Sequence, residues 1–281
     1  MKIHIKSIVI FVLTLCVSCT DVIDVDVPVA ASRLVVEASI NWEKGTSGNN
    51  QVIKLSTSTP FFSNDTNNAV TGATVVITND TDGTAFVFED MNNGMYSSTS
   101  FIPVVNQSYT LDIMYNGEQY QAKETLTTVP DLVDINQSRD GGFDEDALEV
   151  NLDFLDPVDE ENFYFFNFKE QGDLLPELLS ITDEFTNGNV MTVFYEKLEN
   201  DGVNQDSFQA GNVANIEFYG VSRQFSNYIS ILIEQVQASG NPFSTTPVAL
   251  KGNCINLSNP DNDALGYFRL SQFIKVDYTF N

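Results

Sequence analysis

Short runs in which apolar and polar residues alternate, each closed by turn-forming residues, set the narrowest limit on what this chain can fold into. Tyr109, Leu111 and Ile113 are set against Thr110 and Asp112, so one face of that run points inward and the other to water. Comparable runs cover Leu34 to Ile40, Val52 to Ser56, Ala73 to Thr78, Ala85 to Glu89 and Gln119 to Thr125. Asn116-Gly117 supplies a tight hairpin, Asn79 to Gly83 joins two more strands, and Gly94-Met95-Tyr96 opens another after a polar turn. Strands this short and this regularly spaced predict a β-sandwich over residues 33–129.

The pattern stops at Val129-Pro130-Asp131, and Asn136 to Asp146 is polar, acidic and glycine-containing, so residues 130–147 read as a linker or exposed loop. A second β-rich module is expected over 148–281. Leu148, Val150, Leu152 and Phe154 alternate with Glu149, Asn151 and Asp153, as in a strand with one face in water. The aromatic run Phe163 to Phe168 suits a sheet interior, and Val190 to Tyr195, Gly266 to Ser271 and Phe273 to Phe280 are strand-like. Between them the period changes. Ile229, Leu232, Ile233 and Val236 share one helical face, with Ser226 placed to cap the start and Gly240 just past the end, which predicts one amphipathic helix near 226–238.

The amino end has a different logic. Lys2, His4 and Lys6 precede an apolar run from Ile8 to Val17, then Val17-Ser18-Cys19: a signal peptide over residues 1–18, too short for a permanent membrane helix. The residues around Cys19 resemble a bacterial lipobox, although Cys16 stands where that pattern usually has Leu. Lipidation of Cys19 is therefore expected, with residues 19–32 as an acidic tether between lipid and body. Acyl chains contribute roughly 0.8 kcal/mol per buried methylene, so two or three of them hold a protein on a membrane durably. Asp and Glu outnumber Lys and Arg by 39 to 13. Such a surface repels phosphate backbones, so nucleic acid is not an expected partner.

Several segments taken in order resemble one family: Leu34-Val35-Val36-Glu37, Val70 to Val75, Gly94-Met95-Tyr96, Tyr109-Thr110-Leu111, Gly240-Asn241-Pro242-Phe243 and Leu265 to Phe268. They are similar to the Bacteroidetes outer-membrane lipoproteins grouped as domain-of-unknown-function family four-two-four-nine. The first half is also similar to carboxypeptidase-regulatory-like and other immunoglobulin-like modules. The resemblance implies an immunoglobulin-like sandwich in a mainly β protein, attached to the cell outer membrane and working beside a TonB-dependent receptor. It implies no catalytic residues.

Chemistry is limited by what is missing. The only histidine, His4, lies in the segment expected to be removed, which excludes Ser-His-Asp and Cys-His hydrolysis and His-ligated zinc in the mature body. Cys254 has no imidazole partner and reads as a small buried apolar residue. The expectation is accordingly a binding or accessory protein, not an enzyme. The alternative is a glycan-binding or carboxylate-dependent glycan-active surface protein. No cofactor is expected unless calcium binds. Asp80 with Asp82 and Gly83, the loop containing Asp140, Asp144 and Asp146, and Asp261 with Asn262 and Asp263 each collect oxygen ligands, and the middle loop is least explained by turn chemistry. Trp42 precedes a Gly- and Asn-rich loop and is the one tryptophan that could present a ring to a sugar.

Overall fold

In the first half each alternating run forms a strand: β1 (Leu34–Glu43), β2 (Gln51–Thr57), β3 (Thr74–Asn79), β4 (Ala85–Asp90), β5 (Met95–Ser98), β6 (Ser108–Tyr115) and β7 (Glu118–Thr125). The computed structural model describes residues 31–60, 68–158, 160–197, 206–238 and 248–281. The signal peptide, Cys19, nearly all of the tether and the Gly240-to-Phe243 segment lie outside them. Between β6 and β7, Asn116 and Gly117 take φ angles of 50° and 79°, as a two-residue hairpin turn requires. Tyr109, Leu111 and Ile113 are fully buried while Thr110 and Asp112 are not, so the inward face is the expected one.

The second half contributes β8 (Leu132–Ser138), β9 (Glu149–Leu155), β10 (Phe163–Glu170), β11 (Glu177–Thr182), β12 (Val190–Glu196), β13 (Val213–Val221), α1 (Arg223–Ala238), β14 (Ile255–Asn256) and β15 (Leu265–Thr279). Three details differ from expectation. The stretch 130–147 contains β8, which pairs antiparallel with β9 despite a register irregularity between Leu132 and Asp134. The helix starts earlier and is capped by Ser222, whose hydroxyl accepts the Phe225 N–H at 3.1 Å. Ser226 is instead buried, 3.0 Å from the Ser180 hydroxyl. On β9, Glu149 and Asn151 are buried as well as the apolar face. The loop after β8 lies over them, and its Gly141 N–H donates to Glu149 Oε1 at 2.6 Å.

Twelve strands form one curled ladder in the order β11-β10-β13-β15-β1-β2-β5-β4-β3-β6-β7-β14, and β12-β9-β8 form a second sheet. The fold is mainly β, with one described helix. Curling at β4 brings Val36, Ile40 and Leu55 of one wall against Ile77, Leu111 and Ile113 of the other, closing the first core. The small sheet covers β10, β13 and the end of β15 to make a second core. There Phe154 lies 4.7 Å from Phe218, which stacks on Phe166 at 4.5 Å with the rings 6° apart. Leu126 belongs to the first core and Val129 to the second, so the cores change over between these two residues. Residues 32–281 nevertheless form one compact unit.

The reason is β15. Residues 265–273 run parallel to β1, while Phe273 to Thr279 run antiparallel to β13. Phe268 and Leu270 enter the first core; Ile274, Val276 and Tyr278 pack against the second. On the opposite face α1 covers Phe165, Tyr219 and Tyr267. Arg269 is buried there, its guanidinium 4.5 Å from the Tyr219 ring and 4.8 Å from the Phe225 ring, with Nη2 donating to Asn41 Oδ1 at 2.7 Å.

Candidate functional site

Of the strands that end a sheet in the second half, two lie close along the chain: β11 ends the long ladder and β12 ends the small sheet, and among the described residues neither has a strand paired on its outer side. The chain crosses from one to the other through residues 183–189, so the two edges border a cleft that opens between the sheets. Its volume is about 640 Å³, and its walls are mainly Phe168, Leu179, Ile181, Met191 and Val193, with Phe143 and Phe185 at the mouth. Phe143 and Phe185 are 84% and 91% exposed, an unusual placement for rings that could have joined the core. Beyond Glu177, which borders both spaces, a second lobe of about 390 Å³ runs to Tyr195 and to Leu232, Ile233 and Val236 of α1. Val236 is largely exposed, so the helical stripe read from sequence is covered by the sheet only at its beginning.

The charges bordering the cleft are anionic or neutralised. Burial alone would lower the Lys197 ammonium pKa, but Glu170 at 2.6 Å and Asp173 at 3.1 Å outweigh it and hold the group above its ordinary value. The carboxyl of Glu177 is pushed up by burial, an effect that Lys197 partly offsets. Glu196 accepts the Phe143 and Asp144 N–H groups at 2.8 and 3.0 Å, which ties the loop after β8 to β12. That arrangement suits a ligand with an apolar body and an uncharged or cationic end.

The residues singled out in the sequence are scattered. Asp140, Asp144 and Asp146 are exposed on the loop after β8; Asp144 Oδ1 accepts the Asp146 N–H at 2.9 Å, and Arg139 donates to the Asp146 carbonyl. Asp80 bonds Thr110 and Lys123, and Asp82 accepts the Thr84 N–H, so this loop works as hairpin chemistry. Asp263 accepts the Asn256 N–H at 3.0 Å. Among the described residues, no three His, Cys, Asp or Glu side chains gather as a metal cluster. Trp42 packs against the first core and donates to the Thr46 carbonyl at 2.9 Å. Cys254 is buried in the first core, and burial pushes its thiol up to about 12, which makes it a poor nucleophile. No described helix is long and apolar enough to cross a membrane.

Sequence reading missed the cleft because it missed β11. Leu179 and Ile181 alternate with Leu178 and Ser180, a weak strand signal that follows Pro176. Nothing in the run indicates that it borders an open edge.

Among curated proteins none matches the chain. Solved structures that it resembles include a cytokine receptor complex, at 8% identity over 69% of this chain and 86% of that one, with a TM-score of 0.25. A DUF4785 family protein from Legionella pneumophila is 8% identical over 68% of this chain and 52% of that one, with a TM-score of 0.25. The chicken interferon gamma receptor alpha chain is 12% identical over 69% and 90%, with a TM-score of 0.20. Scores this low leave the architecture to rest on the strand pairing itself. The model of a domain of unknown function (DUF4249) matches residues 20–274, from just past Cys19 into the last strand, and the chain belongs to that family.

Proposed function

We propose that the body is a non-enzymatic binding component, held at the cell outer membrane by a lipid on Cys19 and working beside a TonB-dependent receptor in nutrient uptake, with the cleft between β11 and β12 as its ligand seat. The observation behind the reading is the cleft: about 640 Å³ of apolar space between unpaired edges, within the size range of small-molecule sites. The lack of any histidine after His4 and the lipobox-like Val17-Ser18-Cys19 support a tethered binder. Crosslinking in native outer membranes should recover a TonB-dependent receptor with the wild-type protein. Cys19→Ala should leave the membrane fraction and lose that crosslink. Recovery of no receptor would count against the partnership, and a membrane-bound Cys19→Ala against the anchor.

The cleft itself is testable with N-phenyl-1-naphthylamine, a neutral apolar dye. Leu179, on the cleft wall and only partly buried, can be enlarged to fill the space. Leu179→Trp should weaken dye binding about tenfold, equivalent to about 1.4 kcal/mol, with an unchanged melting temperature. Dodecyltrimethylammonium should displace the dye better than dodecanoate, because the mouth lacks an unpaired cation among the described residues. Equal competition by the two would remove the charge argument.

The glycan alternative is favoured by one observation, the two exposed phenylalanine rings at the mouth. Flat apolar faces of this kind can stack on sugar rings. A polysaccharide panel separates the readings: retention lost in Phe143→Ala and Phe185→Ala indicates a glycan binder, and turnover abolished by a single Asp or Glu substitution indicates a carboxylate-dependent enzyme.

A further inference from the structure

We infer that the protein binds a hard divalent cation of the calcium type at the end of the second core, where β9 passes to β10 and β11 passes to β12. The ligands are Asp183, Asn162 and Thr186, none of which belongs to the acidic loops noted in the sequence.

Register places these groups together. Phe163 and Thr182 are the last paired residues of β10 and β11, and the ladder continues one step as the Asp183 N–H donates to the Asn162 carbonyl at 3.2 Å. Residues opposite each other in an antiparallel ladder project to the same face, and so does the residue two positions along. Asn162 and Asp183 therefore share the face of Tyr164, which points into the second core. The Thr186 N–H donates to the Asp183 carbonyl at 2.7 Å, a turn that folds Thr186 back over the same spot. From the facing sheet, Asp156 closes the cluster: its Oδ1 accepts the Tyr164 hydroxyl at 2.5 Å and its Oδ2 the Gly188 N–H at 3.0 Å.

The two buried aspartates differ in one respect. Asp156 has both oxygens bonded, whereas Asp183, with 0% of its surface exposed, has neither. Asn162 Oδ1 and Thr186 Oγ1 are also buried without a hydrogen-bond partner. Four buried oxygens on three neighbouring residues thus lack any donor. Buried polar atoms are nearly always satisfied, and an isolated buried carboxylate is among the costliest groups a core can hold. The carboxylate and amide oxygens can only accept, and the Thr186 hydroxyl, which could donate, makes no hydrogen bond to any of them, whereas a cation satisfies all four at once. Carboxylate, amide and hydroxyl oxygens together form the donor set that calcium takes, whereas magnesium keeps most of its own water.

A cation here would fix residues 183–189, the crossing that presents Phe185 and Thr186 to the cleft. The site stands independently of what the cleft binds.

The test uses the full chain in detergent, stripped with chelator and titrated with calcium by calorimetry, and with terbium by luminescence excited through tyrosine, for which the Tyr164 ring is the local antenna. One saturable equivalent is expected, with terbium displaced by calcium and a higher melting temperature in calcium than in chelator. Asp183→Asn should weaken calcium at least about tenfold, since even indirect partners of a metal ligand are worth that much. Asp144→Asn, in the exposed loop, should bind like wild type. Should Asp183→Asn fail to fold, Thr186→Val decides, because it keeps the volume and removes one oxygen; it too should bind more weakly. The inference is overturned if wild type takes up no calcium and melts identically in chelator, if folded Asp183→Asn or Thr186→Val binds undiminished, or if Asp144→Asn abolishes uptake.

Discussion

Gly266→Ala should destabilise the protein by at least about 4 kcal/mol, in the range where a single substitution is exceptional, while Gly117→Ala should cost only about 1–2 kcal/mol. Both glycines have positive φ, 87° and 79°, so both substitutions incur the left-handed penalty of an L side chain. They differ in what the new methyl meets. At Gly117 there is nothing within 4 Å, whereas at Gly266 it would lie 2.1 Å from the Val36 carbonyl oxygen. That oxygen belongs to β1 and cannot rotate away. Relief requires β1 and β15 to separate where Val36 pairs with Gly266, and the other flank is also closed, since Asn253 bonds both the N–H and the carbonyl of Phe268. Urea unfolding of the two variants followed by circular dichroism measures the difference. Equal midpoints would show that β1 and β15 do not approach as described.

Phe218→Ala should cost roughly 3–5 kcal/mol, the usual range for truncating a fully buried ring. Phe218 is fully buried and meets Phe154, Tyr164 and Phe166, so its removal leaves a void walled by rings from both sheets. Aromatic neighbours are too rigid to collapse into such a space, which places the expected loss toward the upper end. Phe185→Ala, at the exposed mouth of the cleft, should change stability by no more than about 0.5 kcal/mol. Thermal melts of the pair distinguish ring burial from a general sensitivity to losing phenylalanine.

Much of the first half was legible because each of its strands has one wet face. β6 and β7 are antiparallel neighbours with a two-residue turn, so alternation and Asn116-Gly117 fix both the strands and their pairing. The second half gave its apolar positions but less of its exposure. Glu149 reads as a solvent residue, but it is buried, with the Gly141 N–H and the Ser138 hydroxyl both donating to Oε1 while Oε2 has no hydrogen-bond partner. Ser226 looked like a cap because it begins the apolar stripe, but Ser222 lies at the turn where the backbone needs an acceptor. The cleft and the Asp183 cluster were not legible at all. Each depends on which strands remain unpaired and which loops meet at one end of a core, and periodicity within a strand does not encode either. The pairing of Val35 with Leu265 is the extreme case.

That last pairing has a consequence for how the molecule comes into being. The first strand of the body cannot complete one of its edges until the final stretch of the polypeptide has arrived, so a chain emerging from its amino end waits with that edge open. Contacts between such distant parts form late and slowly. Neither core is finished before then, since the same closing strand supplies residues to both. Assembly is therefore gated by that closing strand: removing Leu265–Thr279 would leave not one damaged lobe but two that never set.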